Sequence, residues 1–285
     1  MPCNIFAVKE LKTDNAQDYN KEVAVLKKLS SERHAHPHLI ILLATYKFDK
    51  KNFLVFPWAE LDLFGYWNTF KDPPRDEGKG RWVIDQCLGL VEALHKLHRY
   101  ETLSGSSLLD AFQTHTLQDT QKRPQIGLAK IDTPLSTIKS FYGRHGDVKP
   151  ANILWFPTTG KHGILKITDF GIARFSEKDL WVTRKHGRVP NSPSYRSPEC
   201  DLDGKLSSAC DVWALGCVYL EFLTWYFGGH KYLKQFGERR LAIDCHWANM
   251  KTDTFFAIEE HAGVKSAKVK DSVRQVSASY SMCCH

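Results

Sequence analysis

Two apolar runs joined by a turn, each flanked by a polar side chain, constrain the fold of this chain most. Residues 153–156 and 164–168 are predicted strands, and the stretch 157–163, which contains Pro, Thr and Gly, is the predicted turn between them. Folded as a hairpin, the strands bring Asn152, which precedes the first, close to Asp169, which follows the second. An amide oxygen and a carboxylate held together by a rigid ladder suit a Mg²⁺ ion that keeps several waters and also binds phosphates.

The loop before the first of these strands carries further charged groups. It has the sequence HGDVKPAN at residues 145–152, and the second strand is followed by DFG at residues 169–171. This order and spacing resemble the catalytic core of eukaryotic protein kinases, whose signature is HRDxxxxN followed by DFG. A DFG triplet alone would be weak evidence for this family, because a given set of three residues recurs by chance. Both motifs in order, with Lys149 two residues after Asp147, make the resemblance to protein kinases strong.

The resemblance implies an α+β, two-lobed kinase-like fold. A small, partial sheet lobe is expected at residues 1–57, and a large, mainly helical lobe at residues 58–285. Kinases place a glycine-rich hairpin before the lysine that binds the ATP phosphates. Here only eight residues precede the candidate Lys9, and none is glycine. The chain is therefore expected to be truncated at its start, and because the stretch after Gly229 is shorter than this family usually has, truncation is expected at the other end of the kinase domain as well.

A lysine and a glutamate near the start of the chain are predicted to meet. Residues 4–9 form an apolar predicted strand that ends at Lys9, and apolar residues recur at helical spacing over residues 15–30. Glu22 falls on the buried stripe of that helix, where a carboxylate needs a cationic partner. Lys9 is the candidate, and the pair resembles the lysine–glutamate pair of kinases.

The resemblance also implies roles for single residues. Asp147 would orient the substrate hydroxyl and accept its proton, and Lys149 would neutralise charge on the transferred phosphoryl group. Asn152 and Asp169 would bind Mg²⁺, which bridges phosphate oxygens of ATP. The residues implied to contact ATP are Ala7, Lys9, Glu22, Ala59 and Leu154.

The segment after residues 169–171 indicates the class of substrate. The run NSPSYRSPE at residues 191–199 resembles the GTxxYxAPE segment of the family, with Ser192 at the Thr position. Together with Lys149 this implies transfer of the ATP γ-phosphoryl group to Ser or Thr of a protein substrate. Gly146 stands where most kinases carry an arginine that binds a phosphate on this segment. Activity is therefore expected not to depend on phosphorylation there.

Two other functions stay open. A catalytically impaired, kinase-shaped scaffold that acts as a binding module is favoured by the absent glycine-rich hairpin, whereas the complete set of charged residues argues against it. A small-molecule kinase of related fold would also use a catalytic Asp with a downstream Asn and Asp. Lys149 and residues 192–199 favour a protein substrate.

Two acidic residues of the second lobe are also singled out. Asp211 lies in a helix-capping pattern that begins at Ser208, and it resembles the family's aspartate that binds the backbone of the catalytic loop. Glu199 of the SPE motif has only Arg239, Arg240 and Arg274 as candidate partners, by charge alone. Because an unpaired buried carboxylate is costly, a weakened second lobe is expected.

Periodicity predicts the remaining elements. Strands are expected at residues 40–46 and 52–56, and helices at residues 61–70, 81–98 and 212–227, the last of them ended by Gly228-Gly229. Residues 100–141 are rich in Ser, Thr, Gln and Gly without a sustained period, which predicts a disordered insertion. A docking role for this insertion, or a retained intron, stays open.

Composition excludes several classes of protein. The net charge of +7 is spread along the chain without a basic stripe interleaved with aromatic residues, so no nucleic-acid partner is expected. Most of the eight cysteines lie in apolar runs rather than in paired spacing, which indicates reduced thiols and an intracellular location, cytoplasmic or nuclear. No apolar run is long enough to predict a membrane span.

Overall fold

The protein is described here by a computed structural model, which covers part of the chain. The described residues are 5–11, 16–31, 34–103, 138–159, 162–176, 193–202, 204, 206–244 and 250–282. Ser192, the insertion at residues 104–137 and the Cys-Cys-His end of the chain lie outside them.

A three-stranded antiparallel sheet with one helix against it forms the first lobe. Its elements are β1 (Phe6–Leu11), α1 (Ala16–Leu29), β2 (Ala44–Phe48) and β3 (Lys51–Pro57), with strand order β1-β3-β2. The turn between β2 and β3 places Asp49 and Lys50 at φ of 46° and 61°, the backbone of a tight hairpin. Lys9 lies in the middle of β1 rather than at its end, because backbone pairing with β3 continues to Leu11.

The strand predicted at residues 40–46 is wrong in its first half. It begins only at Ala44, because the residues before it join the sheet lobe to the second lobe instead. Ile40 donates its backbone N–H to the carbonyl of Ile167 at 2.9 Å, and Leu39 forms an isolated parallel bridge to the same residue. Both Leu39 and Ile40 are fully buried at this junction.

Helices and small sheets make up the second lobe. The helices are α2 (Leu63–Thr69), α3 (Glu77–His98), α4 (Pro198–Leu202), α5 (Ser208–Arg240) and α6 (Asp271–Met282). The predicted α+β architecture is therefore confirmed. Among the described helices, none combines the length and apolar character that crossing a bilayer requires.

Helix α3 begins earlier than predicted. The expected start was Arg81, but the Asp76 carboxylate accepts the backbone N–H of Lys79 at 2.7 Å, which caps the helix and lets it begin at Glu77. The helical spacing of its apolar residues would also place Val91 on the buried face of this helix, but Val91 is 42% exposed.

A hairpin on α3 carries the motif residues. Its strands are β7 (Ile153–Phe156) and β8 (Ile164–Ile167), with β4 (Leu61–Asp62) at the other edge of β7. The predicted hairpin is confirmed, with Ile153 opposite Ile167. Gln86 of α3 accepts the backbone N–H of Leu165 at 2.8 Å, which fixes the hairpin on the helix.

The segment predicted to be a disordered insertion begins and ends in paired strands. β5 (Arg99–Leu103) pairs antiparallel with β6 (Ile138–Arg144), and β9 (Arg174–Ser176) lies on the other side of β6. Backbone hydrogen bonds between strands need no hydrophobic period in the sequence, so periodicity did not reveal them.

Helix α5 is the buried centre of the second lobe. Ser207 caps it by accepting the backbone N–H of Ala209 at 3.2 Å, one residue before the predicted cap. The predicted stop at Gly228-Gly229 coincides with a break: Gly229, at φ 75° and ψ −179°, has non-helical backbone, and a further helical segment follows it as far as Arg240. A side chain at Gly229 would lie 2.9 Å from the carbonyl of Lys71, so glycine permits this close approach.

The residues after α5 are less helical than predicted. They form two antiparallel hairpins before α6, namely β10 (Ala242–Asp244) with β11 (Met250–Thr252) and β12 (Phe256–His261) with β13 (Val264–Val269). Phe255 and Val273 from this region pack with Phe236 in a separate buried cluster beneath α5. The loop between the two hairpins and helix α6 therefore contribute to a packed core.

Candidate active site

A cleft of about 370 Å³ lies between the two lobes. The predicted residues that line it are Ala7, Lys9, Glu22, Ala59, Asn152, Leu154 and Asp169. Ala7 and Lys9 share one face of β1 because side chains alternate along a strand. The structure thus brings all the predicted metal and nucleotide residues to one cavity.

Lys9 connects three elements across this cleft. Its Nζ lies 2.8 Å from Oε1 of Glu22 on α1 and 2.9 Å from Oδ1 of Asp169, which follows β8. Glu22 is buried, whereas Lys9 and Asp169 have side chains that are 38% and 44% exposed. The contact between Lys9 and Glu22 is the one that the helical stripe predicts.

The ammonium group of Lys9 and the carboxylate of Asp169 shift each other's ionisation. Partial burial works to lower the pKa of Lys9, but the hydrogen bonds to Glu22 and Asp169 outweigh it and raise this pKa above its ordinary value. Burial works to raise the pKa of Asp169, but the hydrogen bond and charge of Lys9 hold it below the ordinary aspartate value. Both groups are therefore charged at neutral pH.

Asp169 and Asn152 lie at facing ends of the β7–β8 hairpin. The backbone N–H of Thr168 donates to the carbonyl of Asn152 at 2.9 Å, which keeps the two loops together. Asp169 adopts a left-handed backbone with φ 65°, an unusual conformation for a residue with a side chain and one found often at functional sites. Asn152 donates its amide N–H to Asp147 Oδ2 at 3.0 Å, so its amide oxygen is the atom suited to a cation.

Asp147 and Lys149 lie beside the cleft rather than among the residues that line it. Lys149 Nζ is 2.7 Å from Asp147 Oδ2, and both side chains are partly exposed. Asp147 borders a smaller hollow that Tyr195, Ser197 and Cys210 also line. The carboxylate of Asp147 is thus held by one cation and one amide while remaining open to solvent.

The loop that carries Asp147 is held from below by Asp211. Its Oδ2 accepts the backbone N–H of His145 and its Oδ1 that of Gly146, each at 2.7 Å. His98, the last residue of α3, lies with Nε2 3.0 Å from the same carboxylate. Sequence reasoning singled out Asp211 but missed His98, because no local pattern links the end of α3 to a residue 113 positions away.

The expected weakness at Glu199 is wrong. Glu199 is only half-buried, and it accepts the thiol hydrogen of Cys210 at 3.4 Å. Arg240 pairs with a different, buried carboxylate, that of Glu221, at 2.7 Å. Arg274 lies 3.9 Å from the exposed Asp271. Of Glu199 and Glu221, the fully buried carboxylate is that of Glu221, and it has its cation.

The donor atoms in the cleft suit a magnesium ion that binds a triphosphate. The protein offers only two ligand atoms, one carboxylate oxygen and one amide oxygen. This is enough for Mg²⁺, which commonly binds one or two protein oxygens and completes its octahedral coordination with water and phosphate oxygens. Within the described part of the chain, no cluster of three or more His, Cys, Asp or Glu side chains could hold a metal by itself. Asn152 and Asp169 therefore fit a metal that arrives with nucleotide.

The chain resembles known protein kinases. The family model described as "Protein kinase domain" matches residues 100–252. A probable cyclin-dependent kinase 8 of Dictyostelium discoideum is 28% identical over 205 residues, which cover 72% of this chain and 42% of that protein. Serine/threonine-protein kinase SSN3 of Chaetomium globosum is 27% identical over 230 residues, covering 77% of this chain and 35% of that protein.

A shorter stretch is more similar to a third relative. Mitogen-activated protein kinase kinase kinase 20 of Arabidopsis thaliana is 44% identical over 80 residues, which cover 28% of this chain and 22% of that protein. The chain thus spans less than half the length of these three relatives.

Proposed function

The chain belongs to the protein kinase family, and on that premise we propose that it transfers the γ-phosphoryl group of Mg·ATP to Ser or Thr of a protein. The observation that carries this proposal is the position of Lys9, which contacts Glu22 at 2.8 Å and Asp169 at 2.9 Å in the cleft between the lobes. We assign residues 1–57 to the smaller lobe and residues 58–285 to the larger one.

The cleft offers a separate surface for each part of the nucleotide. Ala7, Ala59 and Leu154 supply apolar contact for an adenine ring. Lys9, held in place by Glu22, supplies a positive charge for the phosphates. A Mg²⁺ ion held by Asn152 and Asp169 would offset negative charge on the phosphate oxygens.

Asp147 is the residue suited to accept the proton of the substrate hydroxyl. Its carboxylate is oriented by Lys149 at 2.7 Å and by the Asn152 amide at 3.0 Å. A positioned base typically contributes about 10²- to 10⁴-fold to a rate. Lys149 can offset the charge that develops on the transferred group while it remains beside Asp147.

The preference for Ser or Thr rests on Lys149 and on the relatives. Lys149 matches the serine/threonine pattern, and one of the relatives is named a serine/threonine-protein kinase. We also propose a reducing intracellular compartment, cytoplasmic or nuclear, because Cys87, Cys200, Cys210 and Cys217 are thiols that form no disulfide bond.

A binding role without catalysis is the alternative that one observation favours. Strand β1 lies at the edge of its sheet, and Phe6 and Val8 on its outer face are 50% and 53% exposed. An exposed apolar edge strand is a surface on which another chain can pair. In this alternative the cleft would bind nucleotide weakly and the protein would act as a scaffold.

Nucleotide binding is tested by thermal unfolding with ATP, with and without Mg²⁺. Ligand at 100 times its dissociation constant adds about 2.7 kcal/mol to the free energy of unfolding. We expect Asp169→Asn to remove the Mg²⁺-dependent part of this gain, and Lys9→Met to weaken binding of ATP. Lys51→Met is the matched control, since Lys51 is a lysine of the same sheet whose side chain is 56% exposed.

Phosphoryl transfer is tested with labelled ATP and a mixture of protein substrates, followed by identification of the modified residue. We expect phosphoserine or phosphothreonine, and loss of transfer in Asp147→Asn with the ATP-dependent stabilisation retained. Stabilisation by Mg·ATP without transfer in the unaltered protein would support the scaffold instead. Phosphotyrosine as the main product would contradict the proposed selectivity.

A further inference from the structure

Two cysteines lie side by side beneath the loop that carries Asp147. Cys200 belongs to α4 and Cys210 to the first turn of α5, and their Sγ atoms are 3.9 Å apart. The hydroxyl of Ser197 lies 3.2 Å from Cys200 Sγ, and the Cys210 thiol lies 3.4 Å from Glu199 Oε1. The pair thus has a hydroxyl next to one sulfur and a carboxylate next to the other.

The two sulfurs need to approach by only about 2 Å to reach the length of a disulfide bond. Cys200 is half-buried, whereas Cys210 is 6% exposed, so one sulfur can meet a small reagent while the other is shielded. We propose that Cys200 and Cys210 are an oxidation site, at which a hydroperoxide converts the pair of thiols into a disulfide.

The electrostatic setting of the pair distinguishes it from the other described thiols. Interaction with the neighbouring Cys210 sulfur, aided by the hydroxyl of Ser197, holds the pKa of Cys200 below the ordinary cysteine value despite burial. Burial instead raises the pKa of Cys87 and of Cys217. Since the thiolate is the nucleophile, Cys200 is the sulfur that attacks first.

The reaction balances with a hydroperoxide as the oxidant. The Cys200 thiolate attacks the peroxide oxygen, the O–O bond breaks, and Cys200 becomes a sulfenic acid, while the alkoxide or hydroxide that leaves takes up a proton from solvent as an alcohol or water. The sulfur of Cys210 then attacks Cys200 while its proton passes to Glu199, and hydroxide leaves and takes up a proton as water. The two sulfurs lose two electrons in total, and the peroxide gains them.

The consequence for catalysis rests on the proposed function. Cys210 directly precedes Asp211, which holds the backbone N–H groups of His145 and Gly146. Drawing Cys200 and Cys210 together displaces either α4 or the first turn of α5. Because Cys210, Ser197 and Asp147 border one hollow, we expect either displacement to move the carboxylate that accepts the proton.

Peptide mapping of the folded, full-length protein tests the oxidation site without reference to kinase activity. After treatment with hydrogen peroxide and alkylation of the remaining thiols, trypsin can cut after Arg196, Lys205 and Lys231. We expect peptide 197–205 linked to peptide 206–231, lighter than their sum by two hydrogen atoms and separated by a reductant. Because the second peptide also contains Cys217, Cys217→Ser is the control variant and should still give the link.

Two results would overturn the site. One is an alkylated, unlinked Cys200 under conditions that oxidise other cysteines of the folded protein. The other is a link that disappears in Cys217→Ser. The first result is obtained with the unaltered protein, so a variant that fails to fold does not protect the proposal.

Assays of phosphoryl transfer test whether formation of the disulfide regulates catalysis. We expect the linked protein to lose phosphoryl transfer by about tenfold or more, because displacement of a reacting group by an ångström is costly, and a reductant to restore it. Cys200→Ser should keep its activity through the same treatment, whereas the matched control Cys87→Ser should lose it. A linked protein with unchanged transfer would contradict the regulatory role, and an unaltered protein without any transfer would contradict the proposed function while leaving the mapped link to stand.

Discussion

Asp211 accepts the backbone N–H of His145 at 2.7 Å, so a carboxylate at the start of α5 holds the loop in which the candidate base lies. The same carboxylate accepts the N–H of Gly146, and it is only 1% exposed. Hydrogen bonds to a charged acceptor are stronger than neutral ones, and here they join the central helix of the lobe to two successive residues of the loop. The loop therefore takes its position from the core of the protein.

Asp211→Asn is expected to lower the free energy of unfolding by about 2 to 4 kcal/mol. The amide has one acceptor oxygen, so its NH₂ group would face the backbone N–H of either His145 or Gly146 in a buried site. Urea unfolding measures the change. Asp85→Asn is the matched control, because that side chain is 57% exposed with its Arg81 partner 3.9 Å away, and it should change stability by less than about 0.5 kcal/mol. An equal effect of both variants would contradict the role of Asp211.

Arg240→Met is expected to cost about 3 to 5 kcal/mol, because it leaves the buried carboxylate of Glu221 without its cation. Arg240 is 1% exposed, and its Nη2 lies 2.7 Å from Glu221 Oε1. Burial already raises the pKa of Glu221, so the remaining carboxylate would take up a proton more readily. The double variant Glu221→Leu/Arg240→Met should recover much of the loss in the free energy of unfolding, measured by urea unfolding.

The exposed ion pair of Arg274 and Asp271 serves as the control for the variants of Arg240 and Glu221. Arg274→Met breaks only the exposed contact with Asp271 at 3.9 Å, and it should change the free energy of unfolding by less than about 0.5 kcal/mol. If the double variant is as unstable as Arg240→Met alone, the uncompensated charge of Glu221 is not the cause.

The destabilisation caused by Asp169→Asn is expected to depend on pH in one direction. The folded protein holds the pKa of Asp169 below the value of the unfolded chain, about 3.9. Between these two pKa values the unfolded chain therefore binds more protons than the folded protein. The contribution of Asp169 to the free energy of unfolding is thus fully present above the unfolded pKa, and it is lost as pH falls through the folded pKa. The difference in melting temperature between the two proteins should stay constant from pH 8 to about 5 and shrink below about pH 4. A difference that grows in acid would contradict this assignment.

Gly146→Ala is expected to lower the free energy of unfolding by about 2 kcal/mol. Gly146 has φ 88°, and an added Cβ would lie 3.2 Å from Ile172 Cδ1 and 3.3 Å from Arg144 Nη1. Gly204→Ala is the matched control, since Gly204 also has positive φ, 62°, but nothing within 4 Å of an added Cβ. It should cost about 1 kcal/mol, and equal costs in urea unfolding would show that crowding at residue 146 is unimportant.

The polar residues of the candidate site were predictable because their signal is local. The spacing of Asp147, Lys149, Asn152 and Asp169 lies within one hairpin and its flanking loops, and the pairing of that hairpin is confirmed. Glu22 was predictable from the helical stripe of α1. The paired ends of the insertion and the hairpins after α5 were missed, since strand pairing depends on a partner elsewhere in the chain and not on a period within the strand.

The partners of the buried charged groups show the same difference between what is local in the sequence and what depends on distant residues. The sequence by itself determined which side chains could carry charge into the core, and through its periods and motifs it determined α1, the β7–β8 hairpin and the candidate site. Only the tertiary structure decided that Arg240 pairs with Glu221 rather than with Glu199, and that His98 lies against Asp211. The physical reason is that charge interactions weaken with distance in space, and the folded chain, not the order of residues, sets those distances.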